Sequence, residues 1–174
     1  NGWNHPYIDP IMIIISEKLT WVPLYLFLIY ELVKHFKVKS TVIISALLLS
    51  VGAADLIASK LFKPLVERLR PCHELVFSHL LNTPSNCGGQ YGYFSSHAST
   101  TFAVGMFIYL IYKRRNKWVG LILVWSTAVS YSRIYLGVHF PLDIISGSIC
   151  GVICAYSFYL LARYILNRKW GYQL

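Results

Sequence analysis

Apolar residues run along this chain in five blocks, at about 20–36, 41–62, 96–112, 118–135 and 141–165. Each is close to the roughly 20 residues that a helix needs to cross a bilayer. The first block opens with Trp21 and Pro23 and carries Glu31 and Lys34; the second holds one acid, Asp55. Ahead of them, residues 8–19 pass from Ile8-Asp9-Pro10 through Ile11 to Ile15 and end on Ser16-Glu17-Lys18-Leu19. That apolar stretch is too short to span and predicts a helix lying in the membrane interface. The pattern therefore predicts an all-α, polytopic membrane bundle, with about five spanning helices and one interfacial helix in a single domain over residues 1–174. The chain opens on Asn1 rather than Met, which leaves room for a sixth span upstream.

Composition agrees with this picture. Hydrophobic residues make up 56% of the 174 positions and charged ones 13%, against a usual charged share of about 25%. The few charges are mostly basic, for a net of +9. In a soluble protein that balance would point to nucleic acid. In a lipid-embedded one it points to anionic headgroups, an anionic substrate or topology signals, and nucleic acid is set aside as a partner.

The basic residues also predict orientation. Lys34, Lys37 and Lys39 lie between the first two blocks, Lys113, Arg114, Arg115 and Lys117 between the third and fourth, and Arg163, Arg168 and Lys169 in the tail. With five spans these segments share one side, which the positive-inside rule makes cytoplasmic. Trp21, Trp118 and Trp170 lie near block ends, where aromatic belts form. The outer side receives the N-terminal segment, the loop near 63–95 and the link near 132–140. Lys63, Arg70 and Arg133 fall there, against the charge bias, which suggests a task.

Three clusters on that side carry candidate chemistry. In the first, Lys63 to Pro71, Pro64 suits the first turn of a helix and Pro71 a stop. On such a helix Lys63 and Arg70, seven apart, share one face; the competing reading is a solvated juxtamembrane helix whose Lys63, Arg68 and Arg70 meet lipid headgroups. In the second, Phe94-Ser95-Ser96-His97, Ser95 or Ser96 can cap the helix that follows, whose free N–H groups then form an anion site. In the third, Ser132-Arg133-Ile-Tyr-Leu-Gly137-Val-His139-Phe-Pro141-Leu-Asp143, the carboxylate of Asp143 follows His139 by four residues. At that spacing it can fix the imidazole tautomer and stabilise the charged form.

Together these clusters resemble, in order, the three signatures of the type 2 phosphatidic acid phosphatase superfamily: Lys-x6-Arg-Pro at 63–71, Ser-x-His at 95–97 and Ser-Arg-x5-His-x3-Asp at 132–143. The likeness extends to the layout of spans from about residue 20 to 165. The second signature departs from the usual Pro-Ser-Gly-His, with Phe94 and Ser96 replacing Pro and Gly.

The resemblance implies a lipid phosphatase. His139 would attack phosphorus and form a phosphohistidine, with Asp143 orienting it. His97 would protonate the leaving oxygen and later activate water. Lys63, Arg70 and Arg133, with Ser95 and the N–H of Ser96, would hold the phosphoryl oxygens. Each cation contributes roughly 4 kcal/mol of gross attraction at 4 Å and an effective dielectric of 20, acting mainly on transition-state charge. Three cations leave no need for a metal or other cofactor, and the carboxylates and histidines lack two-metal spacing.

Expected partners are membrane lipids and a lipid phosphate substrate. The expected location is a bacterial cytoplasmic membrane, with the site on its periplasmic, outer face. Undecaprenyl diphosphate suits the compact chain, whereas the stretch from Gly88 to His97 looks like that of some lipid A phosphatases. Phosphatidylglycerol phosphate is a further option. A non-hydrolytic anionic-lipid binder or transporter is the competing class, and the two histidines with Asp143 argue against it.

Of the four cysteines, Cys150 and Cys154 sit in an apolar block and read as packing residues. Cys72 and Cys87 bracket the polar loop, and a disulfide is expected between them. In the chain-entropy model, closing that loop of about 16 residues contributes about 3 kcal/mol. Asp55 is read as a structural partner of a nearby basic or hydroxyl group, although an acid inside a span is also a functional candidate.

Overall fold

A computed structural model describes residues 5–75, 87–172 and 174. Among the described residues the architecture is helical, with one isolated antiparallel bridge between Leu69 and Tyr91. Helix α1 covers Ile8–Ser16, α2 Val22–Phe36, α3 Ser40–Leu56 and α4 Lys63–Val66. They are followed by α5, Ser96–Tyr112, α6, Leu121–Tyr135, and α7, Pro141–Trp170. Short 3-10 turns at Lys18–Trp21 and Lys117–Gly120 lengthen α2 and α6 at their starts.

Two stretches, Lys18–Val66 and Pro141–Trp170, are long and apolar enough to cross a membrane. Large apolar side chains such as Leu26, Phe27, Leu48, Val124, Ile145 and Ile149 stand exposed on the outside of the bundle. Without a bilayer around them they would form a patch too large for a soluble monomer.

The central helix is α5, which packs against α3, α6 and α7. Small residues permit the close approach. A side chain at Gly147 would put its Cβ 2.6 Å from the Ser95 carbonyl oxygen, and one at Gly151 would fall on the Ser99 carbonyl. Gly147 and Gly151 are one turn apart on α7, the spacing by which membrane helices bring backbones together.

The main apolar core, with Leu32, Phe36, Ile43, Phe107, Ile108 and Leu166, fills the bundle towards one end. At that end Arg115 Nη2 donates to the Tyr172 hydroxyl at 2.6 Å, Lys39 lies over the Tyr172 ring and Arg115 over Phe36. The three basic segments thus converge at one end. The candidate residues gather at the other.

The first cluster departs from the expected helix. A π segment, Ile57–Phe62, joins α3 to α4 and shifts the winding just ahead of Lys63. The helix then stops at Val66, and Glu67 takes a left-handed conformation with φ 51°. Lys63 and Arg70 therefore do not share a helix face. Arg70 stands before Pro71, which disfavours α backbone, and is extended with ψ 154°. The loop arriving from Cys87 supplies the backbone partners that a helix would have supplied: Arg70 N–H donates to Gln90 O at 3.2 Å and Gly92 N–H to Arg68 O at 2.8 Å.

Candidate active site

Each cluster reaches the site on the end of a helix. The α5 and α7 N-termini bring Ser95, Ser96, His97 and Asp143, the end of α6 brings Arg133, and α4 with its following loop brings Lys63 and Arg70. Two helix N-termini converging on one point favour negative charge there.

Asp143 is the hub. It occupies the third position of α7, where its Oδ2 reaches back to the Phe140 N–H at 2.9 Å and closes the helix start. The same oxygen lies 3.3 Å from His139 Nδ1. Its backbone carbonyl accepts from the Ser95 N–H at 3.1 Å, joining the third cluster to the second. Its other oxygen, Oδ1, forms an ion pair with Arg68 Nη2. His139 and Asp143 are both buried. Burial pushes the His139 pKa down to about 4, against the opposing pull of the Asp143 hydrogen bond. The resting imidazole is therefore neutral and has a free nitrogen lone pair.

His97, in the first turn of α5, lies within electrostatic range of Arg133, Lys18, His139 and Lys63. Ser95 is the N-cap, and its hydroxyl accepts from the Ala98 N–H at 3.4 Å. The buried Ser96 hydroxyl has no hydrogen-bond partner among the described residues. Phe94, at the position where the signature usually has Pro, is buried with its ring 4.8 Å from that of Phe62. It thereby fastens the loop to the π segment before Lys63.

The cations form a cradle. Lys63, Arg70 and Arg133 act electrostatically on one another. Such mutual repulsion is tolerable where an anion is to be held. Arg70 is buried, which lowers its pKa, with the Asp143 charge opposing. Its Nη1 donates to Cys87 O at 2.7 Å and its Nε to Tyr91 O at 3.3 Å. A disulfide joins Cys72 to Cys87, with Cα atoms 6.2 Å apart. Arg133 Nη1 donates to the Ser16 hydroxyl. Tyr135 donates to Asp9 at 2.6 Å, so α1 is docked on the end of α6 beside the site.

Asp55 lies within range of the Lys63 charge and lines an apolar cavity of about 540 Å³. This cavity runs from Lys18 and His97 down between the helices, past Trp21, Tyr25, Leu47 and Val104.

Sequence reasoning missed Lys18, Ser16 and Arg68. Nothing in the sequence ties α1 to Arg133. Nor did Arg68 carry a signal, because Pro71 restrains only Arg70 directly before it and the backbone pairing of Arg68 comes from Gly92.

Residues 41–167 match the model of the PAP2 superfamily. A lipid A 4'-phosphatase of Bacteroides thetaiotaomicron is 32% identical over 97% of this chain and 76% of its own length. A lipid A 4'-phosphatase of Porphyromonas gingivalis is 37% identical over 98% of this chain and 73% of its own. The crystal structure of a PAP2-type phosphatidylglycerolphosphate phosphatase from Bacillus subtilis superposes with a TM-score of 0.65, at 19% identity, over 97% of this chain and 81% of that one. At that identity the superposition speaks for the fold alone. The fold, the family match and the relatives matched over nearly all of this chain agree: the chain belongs to the PAP2 superfamily and is a membrane-embedded lipid phosphatase.

Proposed function

We propose that this protein removes the 4'-phosphate of lipid A through a phosphohistidine on His139, at the outer face of a bacterial inner membrane. The observation that carries the chemistry is the buried His139–Asp143 pair set among Lys63, Arg70 and Arg133.

In the first step a His139 ring nitrogen forms a bond to phosphorus while the P–O ester bond breaks, and His97 gives a proton to the departing lipid alkoxide. In the second, His97 takes a proton from water, the water oxygen bonds to phosphorus, and the N–P bond breaks to release inorganic phosphate. Asp143 holds Nδ1–H and stabilises the positive ring that forms. The three cations, the Ser96 N–H and the unpartnered Ser96 hydroxyl hold the phosphoryl oxygens as charge spreads over them.

The apolar cavity next to His97 supports a lipid substrate, because an acyl chain can remain between the helices while its phosphate enters the cradle. The two relatives matched over nearly the whole chain support lipid A over other lipid phosphates. The Cys72–Cys87 disulfide beside Arg70 supports an oxidising, outer compartment. Convergence of the basic segments at the opposite end supports the same orientation.

A substrate panel on detergent-purified protein tests the assignment. The arms are lipid A phosphorylated only at the 4' position, lipid A phosphorylated only at the 1 position, undecaprenyl diphosphate and phosphatidylglycerol phosphate, each with and without chelator. Preferred phosphate release from the 4' arm, unchanged by chelator, is expected. Faster turnover of any other arm would reassign the substrate, and loss with chelator would remove the metal-free mechanism.

A further inference from the structure

Asp143 is fully buried, whereas the Arg68 side chain paired with it is 30% exposed. The Asp143 carboxylate is engaged on both oxygens: Oδ2 by the Phe140 N–H and His139 Nδ1, and Oδ1 by Arg68 Nη2. The contacts on Oδ2 leave rotation about the Cβ–Cγ bond restrained from one side only, and Arg68 closes the other.

Arg68 is itself held in place. Its guanidinium lies 4.8 Å from the centre of the Tyr93 ring and 5.2 Å from that of Phe140. Guanidinium planes favour such ring faces. Its carbonyl accepts from the Gly92 N–H at 2.8 Å, and the Tyr93 hydroxyl is 3.1 Å from Ser146 Oγ on α7. Phe140 directly follows His139, so the ring that braces Arg68 and the histidine that depends on it share one short piece of backbone. Gly92 belongs to the same arrangement: a Cβ there would lie 3.2 Å from Arg70 Cγ and 3.4 Å from Asp143 Oδ2.

We propose that Arg68 is a positioning residue of this phosphatase: by clamping Asp143 Oδ1 it fixes the carboxylate that aims His139, without itself binding the transferred phosphate. The proposal rests on the role of His139 and Asp143 given above. A buried carboxylate robbed of the guanidinium that pairs with it is poorly compensated and turns to find other donors. The imidazole then loses its fixed acceptor. Small misplacements of a reacting group cost on the order of 100-fold in rate.

The test is a double-mutant cycle between Arg68→Gln and Asp143→Asn, measured as kcat and KM on the preferred lipid phosphate, with thermal unfolding in detergent alongside. Arg68→Gln is expected to lower kcat on the order of 10- to 100-fold with KM within about threefold of wild type. In the Asp143→Asn background the same change should have little further effect, because its route to the chemistry is already broken. Arg68→Lys should recover part of kcat by restoring the charge, but not the planar, ring-stacked geometry of the guanidinium.

Independent, multiplying losses in the two backgrounds would overturn the proposal, as would an effect confined to KM, which marks a phosphate ligand. Should Arg68→Gln fail to fold, Arg68→Lys carries the same cycle. If Asp143→Asn alone keeps full activity, the underlying role of Asp143 fails instead, which the cycle reports separately.

Discussion

Arg70 Nη1 donates to the Cys87 carbonyl at 2.7 Å, and the same Cys87 is joined to Cys72, two residues beyond Arg70. The disulfide and the cationic cradle are thus one unit: a guanidinium is hung on a backbone carbonyl whose position a covalent link fixes.

Breaking that link should loosen Arg70 more than the histidines. Cys72→Ser with Cys87→Ser is expected to raise KM on the order of tenfold, about 1.4 kcal/mol, with kcat changing far less. Steady-state kinetics on oxidised protein and the double variant check it. An unchanged KM would show that Arg70 keeps its position without the link.

His97 serves both steps in the proposed mechanism, so its loss should slow both. His97→Ala is expected to lower kcat by 100-fold or more, the order of a general acid–base contribution, with little change in substrate binding. Single-turnover mixing separates phosphoryl transfer from water attack. Loss of only one rate would split the two roles between His97 and another group.

His139 is neutral at rest because burial outweighs the help of Asp143, holding its pKa at about 4. In the unfolded chain it titrates near 6.5. Between those values the unfolded form binds a proton that the folded form does not, so stability contributed by neutral His139 is present above about pH 6.5 and is lost as pH falls towards about 4. Ring NMR shifts of selectively labelled histidine in substrate-free protein should place its midpoint close to 4. A midpoint at 6 or above contradicts the burial argument.

Gly151 lies against the α5 backbone, where a side chain would fall on the Ser99 carbonyl. Gly151→Ala should destabilise the bundle by about 1–3 kcal/mol, the usual scale of overpacking. Gly52, with open space around its Cα, is the control and should tolerate Ala. Unfolding midpoints in detergent check both. An unperturbed Gly151→Ala would mean that α5 and α7 can separate at little cost.

The long elements were legible because each rests on a local signal: an apolar block of spanning length, Pro141 at a helix start, Ser95 as N-cap, basic residues at chain turns. The His139–Asp143 pairing was legible for the same reason, since four residues across a helix start bring the two groups together. The path from Lys63 to Arg70 was not. Its helix gives way at Glu67 because the loop ending at Tyr91 and Gly92 supplies competing backbone partners, and a contact across more than 20 residues leaves no periodicity to read. Arg68 was misread with it, since its partner Asp143 lies 75 residues away. The docking of α1, through Asp9–Tyr135 and Ser16–Arg133, is equally non-local.

The most direct measurement is rapid alkaline quench of enzyme turning over lipid phosphate, followed by mass spectrometry of its peptides. The mechanism predicts a phosphate on His139 that is stable in base and lost in acid, and that is absent from an inactive His139→Ala variant. Phosphate on another residue, or a His139→Ala variant that still turns over, would contradict it.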